Sequence, residues 1–135
     1  MTITLSDFLL ICLAGGVGSM ARAALAGAIA RGRYPALSIL VINLSGSFLI
    51  GMALAGVMAQ WRVFGGGDDM RGFIVFSIGF LGGFTTVSTF ALQVMYLAES
   101  GQGRRAVALA LGSALGCPLA ALAGLGLMLA LGGGL

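Results

Sequence analysis

The 135-residue chain contains no histidine, two cysteines and four acidic residues, and only 8% of its residues are charged. A soluble domain carries about 25% charged residues, so this chain has too few to clothe a surface in water. Asp7 stands at the start of the first apolar run and Glu99 at the end of the third, leaving the runs between without Asp, Glu, Lys or His. A proton-coupled transporter needs an ionisable group within the membrane, and a catalytic site needs a base or nucleophile with a partner. Neither constellation is present, which points to a passive pathway and away from an enzyme or a pump. Cys12 and Cys117 lack neighbours at metal-ligand or redox spacing and read as small apolar packing residues. All seven basic residues are arginines, placed singly or in pairs, so the basic face that nucleic acid requires is missing.

What the chain has is apolar length. Hydrophobic residues make up 59% of it, with 24 glycines, and its mean hydropathy is +1.10. A spanning helix takes about 20 apolar residues. The uncharged runs predict four such helices, over 5–30, 35–60, 72–98 and 105–131, in a single all-α integral membrane domain. The first run is too long, and has the wrong flanks, for a cleaved signal peptide. Glycine in such number suits closely packed membrane helices. Arg31, Arg33, Arg104 and Arg105 fall on one side of the membrane, Arg62 and Arg71 on the other, a weak four-to-two bias in the positive-inside sense.

Residues 79–90, GFLGGFTTVSTF, carry the strongest signal. Glycines 79, 82 and 83 followed by Thr85, Thr86, Ser88 and Thr89 weaken a helix at bilayer depth. Broken helix is tolerated there only where protein buries it or it lines a polar path. The third helix is therefore expected to break near its middle. Freed carbonyls at a break coordinate cations, whereas hydroxyls and helix N-termini favour anions; the Thr/Ser cluster alone does not set the sign.

In the second helix Asn43, Gly46, Ser47, Ile50 and Gly51 fall at helical spacing on one stripe. Asn43 lies roughly 13 Å into the span at 1.5 Å per residue. It serves either as interhelical glue, worth roughly 0.6–2 kcal/mol, or as an N–H donor to an anion. In the first helix Gly15 and Ser19 share a face that allows close backbone approach, and Arg22 is the one charge well inside a span. It acts either as a helix-end anchor or as a cation drawing anions to a pore mouth. Pro118 lies midway along the fourth helix, where it removes one backbone bond and is expected to kink it; the helix has Ser113 as its only hydroxyl residue.

Three segments, GGVGSMAR (15–22), VINLSGSFLIG (41–51) and GFLGGFTTVSTF (79–90), together with the four-span layout, resemble the CrcB/Fluc fluoride channels along nearly the whole chain. The resemblance implies an antiparallel, dual-topology homodimer in a bacterial inner membrane, with two fluoride pores along the dimer interface. It implies fluoride export that relieves the toxicity of ion formed inside from hydrogen fluoride. Asn43, Ser47, Thr86, Ser88, Thr89 and Phe90 would then line the ion pathway, and Arg22 would sit in its vestibule. A single structural sodium ion would sit at the centre of the dimer, held by the backbone carbonyls of Gly82 and Thr85 from both broken third helices. The chain departs from the family pattern at Val87, where a first phenylalanine usually stands beside that of Phe90, so that either another aromatic such as Phe84 or Phe48 substitutes or the pore conducts differently, and at Gln93, often a glutamate. The competing reading is a small dual-topology multidrug or cation transporter, which requires the membrane-embedded carboxylate that is missing here.

Overall fold

The computed structural model describes residues 4–30, 35–58 and 69–132. Every regular element among them is helical. Four helices are long and apolar enough to cross a membrane: Leu5–Ile29, Ala36–Met58, Met70–Glu99 and Gly103–Gly132. Helices α1 (Leu5–Ala30) and α2 (Pro35–Met58) are continuous. The third span is composite. Its first half, α3 (69–84), is α-helical over Asp69–Ile74, widens to a π-helix over Val75–Leu81, and closes with the α-turn Gly82–Phe84. Thr85 and Thr86 are extended, and α4 (Val87–Glu99) completes the crossing. Helix α5 (Gly103–Gly132) runs uninterrupted through Pro118.

Local sequence explains the ends. At the start of α1, the Thr4 hydroxyl accepts from the Asp7 N–H at 3.3 Å while the Asp7 carboxylate accepts from the Thr4 N–H at 2.9 Å. This reciprocal capping box satisfies two N–H groups that a helix start leaves without partners. Between α4 and α5, Gly101 adopts φ 75°. Gln102 N–H reaches the Leu97 carbonyl at 2.9 Å and Gly101 N–H that of Ala98 at 3.2 Å, the two bonds of a glycine-terminated helix end. The hairpin this makes is closed by Leu97, Ala106 and Leu109, with Phe90 and Val94 packed on them.

Glycine fixes the helix spacing. A Cβ at Gly18 would overlap the Phe80 carbonyl, and one at Gly83 the Gly15 carbonyl. On the other side, a Cβ at Gly51 would overlap the Ala121 carbonyl, and one at Gly124 that of Phe48. Lipid is as apolar as leucine, so close backbone approach, rather than hydrophobic burial, holds such pairs together. Helices α1 and α3 run parallel, in a constant register of 64 residues from the Asp7–Arg71 pair to the Ser19–Gly83 bond. Helices α2 and α5 are the second tight pair, and α2 also packs on α1 and on the broken span. The outside is correspondingly apolar: Leu5, Met20 and Leu119 are each at least 65% exposed.

Two expectations are refined. The break expected within residues 79–90 is present and falls at the hydroxyl residues Thr85 and Thr86, whereas Gly79, Gly82 and Gly83 are all helical. Gly79 and Gly83 instead let α1 approach. Arg71, grouped in sequence with a loop, is a helical residue of α3 whose guanidinium pairs with Asp7 and bonds the Ser6 hydroxyl at 3.2 Å. Arg31, Arg33 and Arg62 lie outside the described residues, and Arg104 and Arg105 are exposed in the first turn of α5.

Candidate functional site

The break is held by one side chain. Asn43 accepts from the Thr86 N–H at 3.2 Å and donates to the Thr86 carbonyl at 3.4 Å. Its amide thus pairs with the extended residue as a neighbouring backbone strand would. This use as interhelical glue takes one N–H of the amide; a primary amide has two, so a donor is left for another partner. The companion Gly46 is needed because a Cβ there would overlap the Thr85 methyl.

Downstream, Thr86 caps α4. Its hydroxyl accepts from the Thr89 N–H at 3.3 Å and lies 3.2 Å from the Ser88 hydroxyl and 3.1 Å from that of Thr89. Ser88 and Thr89 are exposed around this cap. The hydroxyl cluster read from the sequence is therefore, in the first instance, a helix start.

These bonds strip two carbonyls. In an unbroken helix the Thr86 N–H would bond Gly82 and the Thr89 N–H would bond Thr85. Asn43 takes the first and the Thr86 hydroxyl takes the second. Gly83, between them, keeps a donor in the Ser19 hydroxyl at 3.3 Å, and the Leu81 carbonyl receives both Thr85 N–H and Thr85 Oγ1 at 2.9 Å.

Two cavities flank the break. The larger, about 330 Å³, lies between α2, the extended residues and α5; its wall includes Asn43, Ser47, Thr85, Thr86, Val87, Phe90, Ser113, Ala114 and Cys117. The smaller, about 190 Å³, lies between α2 and α3 and is lined by Gly46, Ser47, Ile50, Ser77, Leu81, Gly82 and Thr85. Ser47 and Thr85 belong to both. Among the described serines and threonines, only Ser47 and Ser113 have hydroxyls without a hydrogen-bond partner, and both face the larger cavity. Ser113 is also buried, at 8% exposure. A buried polar atom without a partner costs about 1–3 kcal/mol, so its retention calls for an explanation.

The structure brings Asn43, Ser47, Thr86 and Phe90 to one cavity and places the Gly82 and Thr85 positions on the smaller one. Arg22 is half-buried on α1, three residues or about 4.5 Å beyond Ser19 along the axis, and lines neither. Of the stripe on α2, Gly51 faces α5 instead. Neither Phe84 nor Phe48 is among the residues that line the larger cavity with Val87. Phe84 is buried in a stacked ladder with Phe80 and Phe76, at centroid spacings of 5.9 and 5.6 Å; Phe48 lies off the cavity wall. Sequence reading missed Cys117, which lines the cavity one turn beyond Ser113, and the i, i+4 spacing of those two residues was its available signal. It also missed the capping of α4 by Thr86, although its partners Ser88 and Thr89 are local, and it did not identify Thr86 as the distant partner of the Asn43 amide.

Residues 9–125 match the family model described as CrcB-like protein, Camphor Resistance (CrcB). A fluoride-specific ion channel FluC of Francisella tularensis subsp. mediasiatica (strain FSC147) is 39% identical over 97 residues, covering 70% of this chain and 72% of the relative. One from Francisella philomiragia subsp. philomiragia is 36% identical over 102 residues, 73% of this chain and 76% of the relative. The fluoride-specific ion channel FluC 2 of Moorella thermoacetica is 39% identical over 106 residues, 76% of this chain and 80% of its own length.

Proposed function

Since the chain belongs to the CrcB-like family, we propose that it is a passive fluoride-selective channel, exporting the ion across a bacterial inner membrane as an antiparallel homodimer. The observation that carries this reading is the larger cavity at the break, about 330 Å³, whose lining residues include Asn43, with one amide N–H not engaged by Thr86, and Ser47 and Ser113, whose hydroxyls have no partner in the chain. Fluoride is small and tightly hydrated, and a narrow pathway passes it only by replacing lost water with protein donors, as carbonyls do for potassium with the opposite sign. Asn43, Ser47 and Ser113 supply neutral donors. Thr86, Ser88 and Thr89 place a helix N-terminus, with its partial positive charge, at the same level. The Phe90 ring on the wall offers its positive edge. Arg22 raises anion concentration at the mouth. No chemical bond is made or broken.

The second copy is favoured by what the single chain leaves open. Val87 is 80% exposed on the cavity wall, so one subunit does not enclose a pathway; a partner seated on that side completes it.

The residues at the smaller cavity fit a sodium ion, because the Gly82 and Thr85 carbonyls have lost their helical donors. A bound sodium ion supplies fixed positive charge beside the pathway. Those two carbonyls would hold it: Asn43 frees that of Gly82 by taking the Thr86 N–H, and the Thr86 hydroxyl frees that of Thr85 by taking the Thr89 N–H.

The test is fluoride efflux from liposomes containing the purified protein alone, with chloride as the control anion. Release of fluoride but not chloride is expected. Vesicles as tight to fluoride as protein-free ones would refute the reading.

A further inference from the structure

The two cavities differ in the sign of what their walls offer. In the smaller one, Ser77 Oγ donates to the Phe73 carbonyl at 2.7 Å and Thr85 Oγ1 to the Leu81 carbonyl at 2.9 Å. Both hydroxyl protons are thereby turned away, leaving oxygen lone pairs and the Gly82 backbone for an occupant on every part of the polar wall except Ser47. That wall suits a cation. In the larger cavity Asn43 and Ser113 retain donors, which suits an anion. Ser47 stands on the shared wall, and its hydroxyl has no partner within the chain. Thr85 is on the same wall, but its proton is fixed on Leu81.

We infer that Ser47 couples the two sites. One hydroxyl carries a single proton and two lone pairs. A cation in the smaller cavity, bound directly or through its water, draws the lone pairs and leaves the proton pointing to the larger cavity. An anion there draws the proton and leaves the lone pairs to the cation. Each ion therefore favours the other through one rotor, and the coupling is reciprocal by necessity. Ser47 is in this respect a positioning residue between sites. The inference rests on the proposed sodium and fluoride sites and goes beyond either.

The test reads binding rather than flux. Protein is purified with sodium replaced throughout by N-methyl-glucamine, and thermal unfolding is followed against added sodium, with and without fluoride. In the unaltered chain sodium raises the unfolding temperature, and fluoride lowers the sodium concentration needed for half the rise by about fivefold. In Ser47→Ala sodium still stabilises, which shows that the variant folds and binds, but the separation of the two curves shrinks to what direct attraction between the ions leaves. Ser47→Thr, which keeps the hydroxyl, restores the separation. A full fluoride effect in Ser47→Ala overturns the coupling, as does a stabilisation by sodium in the unaltered chain that fluoride leaves unmoved; both leave the sodium site standing. Absence of any sodium effect in the unaltered chain removes the sodium site and the coupling together.

Discussion

The broken span presents opposite faces to its two neighbours. Toward α1 it is sealed: Gly79, Gly83 and the Phe80 carbonyl lie against Ile11, Gly15 and Gly18 with no room for a methyl group. Toward α2 and α5 it opens into both cavities, and the contacts are amide and hydroxyl. The two faces divide the labour of a membrane site. Backbone packing supplies the association that lipid cannot drive, and the rigid face so made holds irregular backbone in place on the other, where it lines a polar cavity. Glycine closes the structure here, and Asn43 opens it.

The comparison is broken most severely at the sealed face. In Gly18→Val the added carbons would occupy the place of the Phe80 carbonyl, and a backbone carbonyl cannot move aside as a side chain does. Overpacking costs about 1–3 kcal/mol even where side chains yield. The variant is expected to give no monodisperse protein on size exclusion. A well-folded variant with the normal unfolding temperature would show that α1 does not approach α3 so closely.

The open face should lose conduction and keep its fold. Asn43→Asp retains an acceptor for the Thr86 N–H, removes the donor to the Thr86 carbonyl, and puts a negative charge on the cavity wall. A loss of 1.4–2.8 kcal/mol at the ion's least stable position corresponds to about a ten- to hundredfold fall in flux. Fluoride efflux should fall by that factor, with the helical circular dichroism intact. Undiminished efflux would take Asn43 off the pathway.

The same division explains what the sequence discloses. Four spans and a break in the third follow from uncharged length and from hydroxyls at bilayer depth. The stripe of Asn43, Gly46 and Ser47 is legible because helical spacing alone puts them on one face. The segment of the break, 79–90, is legible, but the particular residues are not, because local propensity marks the glycines as weak points along with the hydroxyls. The backbone departs from helix only where Asn43, 43 residues away, takes the Thr86 N–H. Glycine's role was inverted for the same reason: whether it loosens a helix or admits a neighbour depends on the neighbour. The Asp7–Arg71 pair was hidden because Arg71 resembles a loop anchor until the parallel register of α1 and α3 is known.

Ser113 gives the smallest effect and the sharpest sign. Its hydroxyl is buried, unpartnered and on the wall of the larger cavity. If it served the fold, removing it would lower stability. An unpaired buried hydroxyl instead opposes folding, so Ser113→Ala should raise the unfolding temperature slightly, a gain of up to about 1 kcal/mol. The same substitution removes one of the donors that stand in for water around the ion, and fluoride efflux should fall by about threefold, equivalent to roughly 0.7 kcal/mol. Stability and conduction moving in opposite directions is the mark of a group retained for the pathway. A variant that is both less stable and equally conductive would assign Ser113 to packing and leave Asn43 and Ser47, both on α2, as the neutral donors at the cavity.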